Sequence, residues 1–144
     1  MSLPDQLERV VESFRRAPKP LRLQLLLEYA RKVPDLPPHL ADNRDALERV
    51  HECQTPFFLA TEVGDDGAVR LHFEAPEQAP TTRGFAGILS EGLAGRRTDE
   101  ILAVPDDFYT RMGLAEVISP LRLRGMSAIM HRLKRQLAER GDSL

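Results

Sequence analysis

A short central stretch, "FFLATEVGDDGAVRLHFE" (57–74), limits the folds open to this 144-residue chain more than any other segment. In residues 69–74, Val69, Leu71 and Phe73 alternate with Arg70, His72 and Glu74. A period of two puts one row on an apolar face and the other on a charged face, the pattern of a half-buried strand. Residues 57–63 read as a second strand, and Gly64 to Gly67 ("GDDG") supply the turn that joins the two as a hairpin. A third short strand is expected near 77–82, weakened by its prolines.

The sequence on either side has helical spacing. Leu3, Leu7, Val10, Val11 and Phe14 mark a helix over 3–16, with Ser2 as its cap and Pro4 in its first turn. A second helix is expected over 20–33. Its stripe is Leu21, Leu25, Leu26, Tyr29, Ala30 and Val33, widened by Leu23 and Leu27 toward full burial. "PDLPPHLADNRD" reads as a loop, and segment 41–50 is expected to hold a helical turn. Residues 83–94 place Phe85, Ile88, Leu89 and Leu93 on one side. Thr98 caps a short helix over 99–103, and Pro105 opens another ending at Gly113. Ser119 and Pro120 start the last helix, whose stripe is Met126, Met130, Leu133 and Leu137 and whose cap is Gly141. Helices, then a meander, then helices again indicate an α+β fold, with helices packed on one face of a small antiparallel sheet of about three strands. Length and composition fit one domain, residues 1–144.

Composition removes several functions. The net charge of −2 does not suit nucleic-acid binding. No apolar run approaches the ~20 residues that span a bilayer, and the N-terminus does not read as a signal peptide, so a cytoplasmic protein is expected. Charge is unevenly placed. Residues 120–140 carry six basic residues against Glu139, a net +5, and residues 99–116 carry five acids against Arg111, a net −4. Two solvated faces that attract each other account for this, with a basic helix that docks an acidic partner as the alternative.

Cys53 is the only cysteine. It can make no intramolecular disulfide, no Cys₄ iron–sulfur site and no thiolate-rich zinc site. The four histidines show no paired metal spacing, and no cofactor is expected. A lone cysteine is most often buried core. Cys53 instead lies where a loop enters a strand, between Glu52 and Gln54. Two chemistries remain open for it. A nearby histidine such as His51 or His72 could deprotonate it in a Cys–His hydrolase, although no nucleophile elbow or orienting asparagine accompanies it. Alternatively, the thiolate could accept a sulfane sulfur from another protein's persulfide, by the displacement logic of thiol–disulfide exchange.

Four segments carry a resemblance. "LLLEYARKVPDLPP", "RVHECQTPFFLA", "TTRGFAGILSEGLAGRRTDEIL" and "MGLAEVISPLRLRGMSAIMHRLK" resemble, in order and spacing, segments of the SufE family of sulfur-acceptor proteins. The resemblance runs nearly end to end. It implies a SufE/NifU-like two-layer fold. It also implies an acceptor that takes persulfide sulfur from a SufS-type cysteine desulfurase, stimulates that pyridoxal phosphate enzyme and passes sulfur to an iron–sulfur assembly scaffold. Cys53 matches the family's sulfur-accepting cysteine and Gln54 its neighbour. Arg122 matches the arginine of the "SP-x-R" block, and Arg83-Gly84 stand for its lysine–glycine pair. The lack of two further cysteines separates the chain from IscU-type scaffolds. Departures from the pattern are Glu52 for glycine, Thr55 for serine, Phe58 for tryptophan, and Leu121 and Arg124 in the "S-R-x-N-G" block. Glutamate at 52 is expected to strain or reshape the loop and to disfavour the thiolate. An interaction module of the same fold that has lost sulfur transfer is the rival reading.

Overall fold

The structure is a computed structural model and describes residues 3–142. Helices α1 (Asp5–Arg16) and α2 (Lys19–Ala30) come first, followed by a one-turn α3 (Pro38–Ala41) and a 3₁₀ turn at Arg44–Ala46. Strands β1 (Glu48–Arg49), β2 (Phe58–Val63) and β3 (Val69–Glu74) form one antiparallel sheet in the order β1-β2-β3. Helices α4 (Pro80–Leu93) and α5 (Thr98–Leu102), two 3₁₀ turns over 108–116, and the long α6 (Pro120–Asp142) complete the chain.

The hairpin takes the register its alternation requires. Leu59 pairs with Phe73, Thr61 with Leu71 and Val63 with Val69, so these six share one face. Leu59, Val69 and Phe73 enter the main core with Leu7, Phe14, Leu26, Phe85, Ile88 and the α6 stripe. Thr61 is buried on the same face, where its backbone N–H and its hydroxyl both donate to Gln136 Oε1 of α6, at 3.0 and 2.9 Å. The opposite face carries a smaller cluster, Leu40, Leu47 and Ala60, with Leu36 and Phe58 packed against it. There the proline-rich segment lies over the sheet.

Several elements depart from the sequence pattern. Segment 77–82 is not a strand. Pro80 stands in the first turn of α4, where a missing N–H costs nothing, and the third strand is Glu48–Arg49. Two residues are too few for any periodicity. The Leu21, Leu23 and Leu27 side of α2 is exposed, because the helix buries only the face of Leu26, Tyr29 and Ala30, with Leu25 packed at its edge. That contact is close. A Cβ on Gly84 would lie 2.4 Å from the Leu26 carbonyl oxygen. Thr98 is the first residue of α5, with Arg97 in the capping position. Gly141 does not stop α6, which runs on to Asp142. The cap expected at Ser2 lies outside the described residues. Ser119 does cap α6, its hydroxyl accepting from the Arg122 N–H at 3.4 Å. Among the described residues no helix is long and apolar enough to cross a membrane.

Candidate functional site

Cys53 sits in a loop strung between two fully buried residues, Val50 and Phe57. The Val50 N–H donates to the Phe57 carbonyl at 2.9 Å, closing the loop, and the Cys53 N–H donates back to the Val50 carbonyl at 3.2 Å. The second bond folds His51 and Glu52 into a turn. No described non-glycine residue has positive φ, so Glu52 occupies ordinary backbone and the expected strain from losing glycine is absent.

The turn points the thiol inward. Cys53 is 7% exposed and packs against α6 at Gly125, whose carbonyl accepts from Sγ at 3.9 Å. Gly125 leaves room for this contact: a Cβ at this position would crowd Sγ at 3.2 Å. Beside the thiol lies a recess of about 90 Å³. Its walls come from the loop (Glu52, Gln54, Thr55), the start of α4 (Thr81, Thr82) and the first turns of α6 (Leu121, Arg122). Arg122 Nη1 donates to Thr81 Oγ1 at 3.3 Å across this recess.

Burial pushes the Cys53 thiol up to about 11, helped by the Glu52 carboxylate and opposed by Arg132. At neutral pH the buried thiol thus keeps its proton. The expectation that Glu52 disfavours the thiolate therefore holds, but burial is the larger cause. Glu52 is itself paired. Arg132 of α6 reaches Glu52 Oε1 through Nη2 at 2.8 Å and Nε at 3.2 Å, and its Nη1 reaches Glu48 Oε2 at 2.8 Å. Its own backbone N–H, with Arg132, holds the Glu52 carboxyl below its ordinary value. Burial alone would raise Glu48, yet bonds from Gln136, Arg132 and Arg135 keep it low.

Cys53, Gln54, Glu52 and Arg122 therefore meet at one recess. Arg83 does not join them. Its Nε donates to the Ala30 carbonyl at 3.0 Å and its Nη1 to the Ala75 carbonyl at 2.6 Å, which ties α2 and the end of β3 to α4. His51 is exposed, and among the described residues the one hydrogen-bond partner of Sγ is a backbone carbonyl. A general base must come within hydrogen-bond reach of its nucleophile, and none does here. Sequence reasoning missed Arg132, Glu48 and Gly125 as parts of the site. The expected attraction between the basic and acidic segments is realised by Lys134 with Asp106 at 2.9 Å. Arg132 and Arg135 instead turn to Glu48 and Glu52, which precede both segments.

Comparison with known proteins agrees with this picture. A family model described as "SufE: Fe-S metabolism associated domain" matches residues 8–137. The chain is similar to an uncharacterized SufE-like protein of Mycobacterium tuberculosis, with 55% identity over 138 residues that cover 96% of this chain and 95% of that protein. It is also similar to the cysteine desulfuration protein SufE of Plasmodium vivax, 29% identical over 135 residues, covering 92% of this chain and 52% of that one. Among solved structures, the solution structure of a hypothetical protein from Thermus thermophilus matches with a TM-score of 0.85 and 48% identity, covering 96% and 97% of the two chains.

Proposed function

Because the chain belongs to the SufE family of Fe–S metabolism, we propose that it is a single-domain, cytoplasmic sulfur acceptor whose acceptor atom is Cys53 Sγ. The donor is a cysteine desulfurase carrying a persulfide on its own cysteine. The Cys53 thiolate attacks the terminal sulfur of that persulfide. A new S–S bond forms on Cys53, the donor's S–S bond breaks, and the donor cysteine leaves as a thiolate. Freed of its sulfur, the desulfurase turns over again, and the Cys53 persulfide goes on to a scaffold that assembles clusters. No oxidant is consumed, because the sulfane sulfur is already at the persulfide level.

The observation that carries this reading is the placement of the only thiol beside a recess walled by three elements. The recess is large enough for one added sulfur, and one of its walls is the loop that carries the thiol. Its resting thiol is neutral, so acceptance requires the loop to bring Sγ out of its burial, where the ordinary thiol pKa returns.

The test is incubation with a cysteine desulfurase and cysteine, followed by intact mass. Wild type should gain the mass of one sulfur atom on Cys53, and Cys53→Ser should gain none and fail to stimulate the desulfurase. Full stimulation by the serine variant would leave this chain as an interaction module of the same fold.

A further inference from the structure

Arg132 is bonded to the thiol-bearing segment at two positions, 48 and 52, on the two sides of Val50. It is also seven residues from Gly125, two turns along α6, so both residues lie on the same helix face. Gly125 makes the bed on which Sγ rests, and Arg132 fastens the carboxylate next to it. The guanidinium side chain is 20% exposed, while that of Glu52 is 49% exposed. A partly sheltered cation that forks between two carboxylates restrains geometry better than a single surface pair. The loop has few other ties to the rest of the molecule. Among the described residues, no side chain from 51 to 56 besides Glu52 and Cys53 makes a hydrogen bond or ion pair.

We infer that Arg132 is a positioning residue for Cys53, a tether that holds the thiol loop down on α6 and sets how often the thiol is exposed to a sulfur donor. On this view Glu52, where the family pattern has glycine, is the handle that Arg132 grips. A partner that frees the loop does so by competing for one end of the pair, with a cation for Glu52 or an anion for Arg132. The purpose of the tether rests on the sulfur-acceptor reading, but its existence does not.

Charge and tether predict opposite outcomes for one substitution. Arg132 lowers the Cys53 thiol's pKa, so if charge governed reactivity, Arg132→Gln would make the thiol less reactive. If the tether governs, Arg132→Gln opens the loop and makes it more reactive. Glu48 keeps Arg135 and Gln136 as partners in this variant, and Glu52 is open to water, so no buried charge is stranded.

The experiment is alkylation of the free protein by iodoacetamide against pH and salt. With a partly exposed pair, Arg132→Gln should alkylate about twofold to fivefold faster, by the free energy such pairs typically carry. The gain should appear well below the thiol's midpoint, and that midpoint should not rise, whereas loss of the Arg132 charge alone would move it up. Arg132→Lys keeps the charge but cannot fork, so it should also be faster than wild type. Wild-type alkylation should quicken with salt, and that dependence should flatten in Glu52→Gln. Thermal melts confirm that each variant is folded, and Arg44→Gln, which breaks an ion pair with Glu74 outside the loop, serves as the control. A folded Arg132→Gln that alkylates no faster than wild type overturns the tether and leaves the acceptor reading intact. A Cys53→Ser protein that still stimulates the desulfurase overturns the acceptor reading and leaves the tether intact.

Discussion

The two connections around β2 are built on different principles. The β2–β3 turn is locally made. Gly67 sits at φ +82°, its N–H donates to the Gly64 carbonyl at 2.9 Å, and Asp66 Oδ1 accepts from the Ala68 N–H at 3.0 Å. The bonds that close it lie within five residues, with Arg97 Nη1 donating to the Asp66 carbonyl at 3.4 Å as an outer tie, and "GDDG" announces it. The β1–β2 connection has no left-handed residue. Its position is set by α6, through Gly125 and Arg132, 72 and 80 residues away. A turn made by its own backbone opens only when the hairpin does. A loop held by distant side chains can open while the sheet and helices stay folded. A thiol that must be sheltered at rest and offered on demand suits the second kind.

A pH titration should separate the two connections most strongly. The thiol's folded-state pKa is raised to about 11 from an ordinary value near 9. A raised acid means that the folded state holds its proton while the unfolded chain has lost it. Stability is therefore fully present below about pH 9 and falls as pH climbs from there toward 11. At 1.36 kcal/mol per unit, the loss on unfolding is at most about 3 kcal/mol. Denaturant unfolding of wild type against Cys53→Ser should show curves that converge above pH 9. Local opening of the loop lets the thiol ionise without global unfolding, so it caps the loss. A loss well short of the full value measures the opening free energy, and parallel curves at all pH would mean that the thiol is not buried in solution.

The hairpin turn should respond in the opposite manner. Gly67→Ala forces an L residue into the left-handed region, at about 1–2 kcal/mol. Its Cβ would also press on the Arg97 guanidinium at 2.7 Å, although that side chain can swing away. For a chain of this size the melting temperature should drop by roughly 3–8 °C. The rate at which Cys53 alkylates under native conditions should not change. A faster alkylation in this variant would show that the two connections open together.

The same contrast explains what was legible in the sequence. Strand 69–74 and the helical stripes containing Phe14, Phe85 and Met130 follow from periodicity, since each is a property of neighbours on one element, and the run 57–63 reads as a strand that the structure begins one residue later, at Phe58. Cys53 stands out by its rarity and its place at a loop. The partners that shape its environment could not be read, because no local pattern connects position 52 with 132, or position 53 with 125. In sequence, Arg132 is one more basic residue on a charged helix, and Gly125 is part of a motif with no stated reason. β1 escaped because two residues carry no period. The burial assigned to Leu21, Leu23 and Leu27 failed because a leucine-rich helix that packs on one side only looks, in sequence, like a helix packed all round.

The smallest expected effect on stability lies at Gly125, and it tests the bed on which the thiol rests. Alanine in place of a mid-helix glycine favours a helix by roughly 0.5–1 kcal/mol. Here the added Cβ would stand 3.2 Å from Sγ, so the thiol must yield by a few tenths of an ångström. The gain and the crowding oppose each other, and Gly125→Ala should leave stability within about 1 kcal/mol of wild type. The double-mutant cycle with Cys53→Ala shows the two terms apart. With Sγ removed nothing crowds the new methyl, and Gly125→Ala should then stabilise by the full helix term, so the coupling between the two positions equals the crowding that Sγ imposes. The thiol, pushed from below while Arg132 still holds Glu52, should alkylate faster in Gly125→Ala, and faster again when Arg132→Gln is added. Additive stabilities in the cycle would mean that Sγ does not lie on α6. An unchanged alkylation rate in Gly125→Ala would mean that Arg132 alone sets the position of the loop.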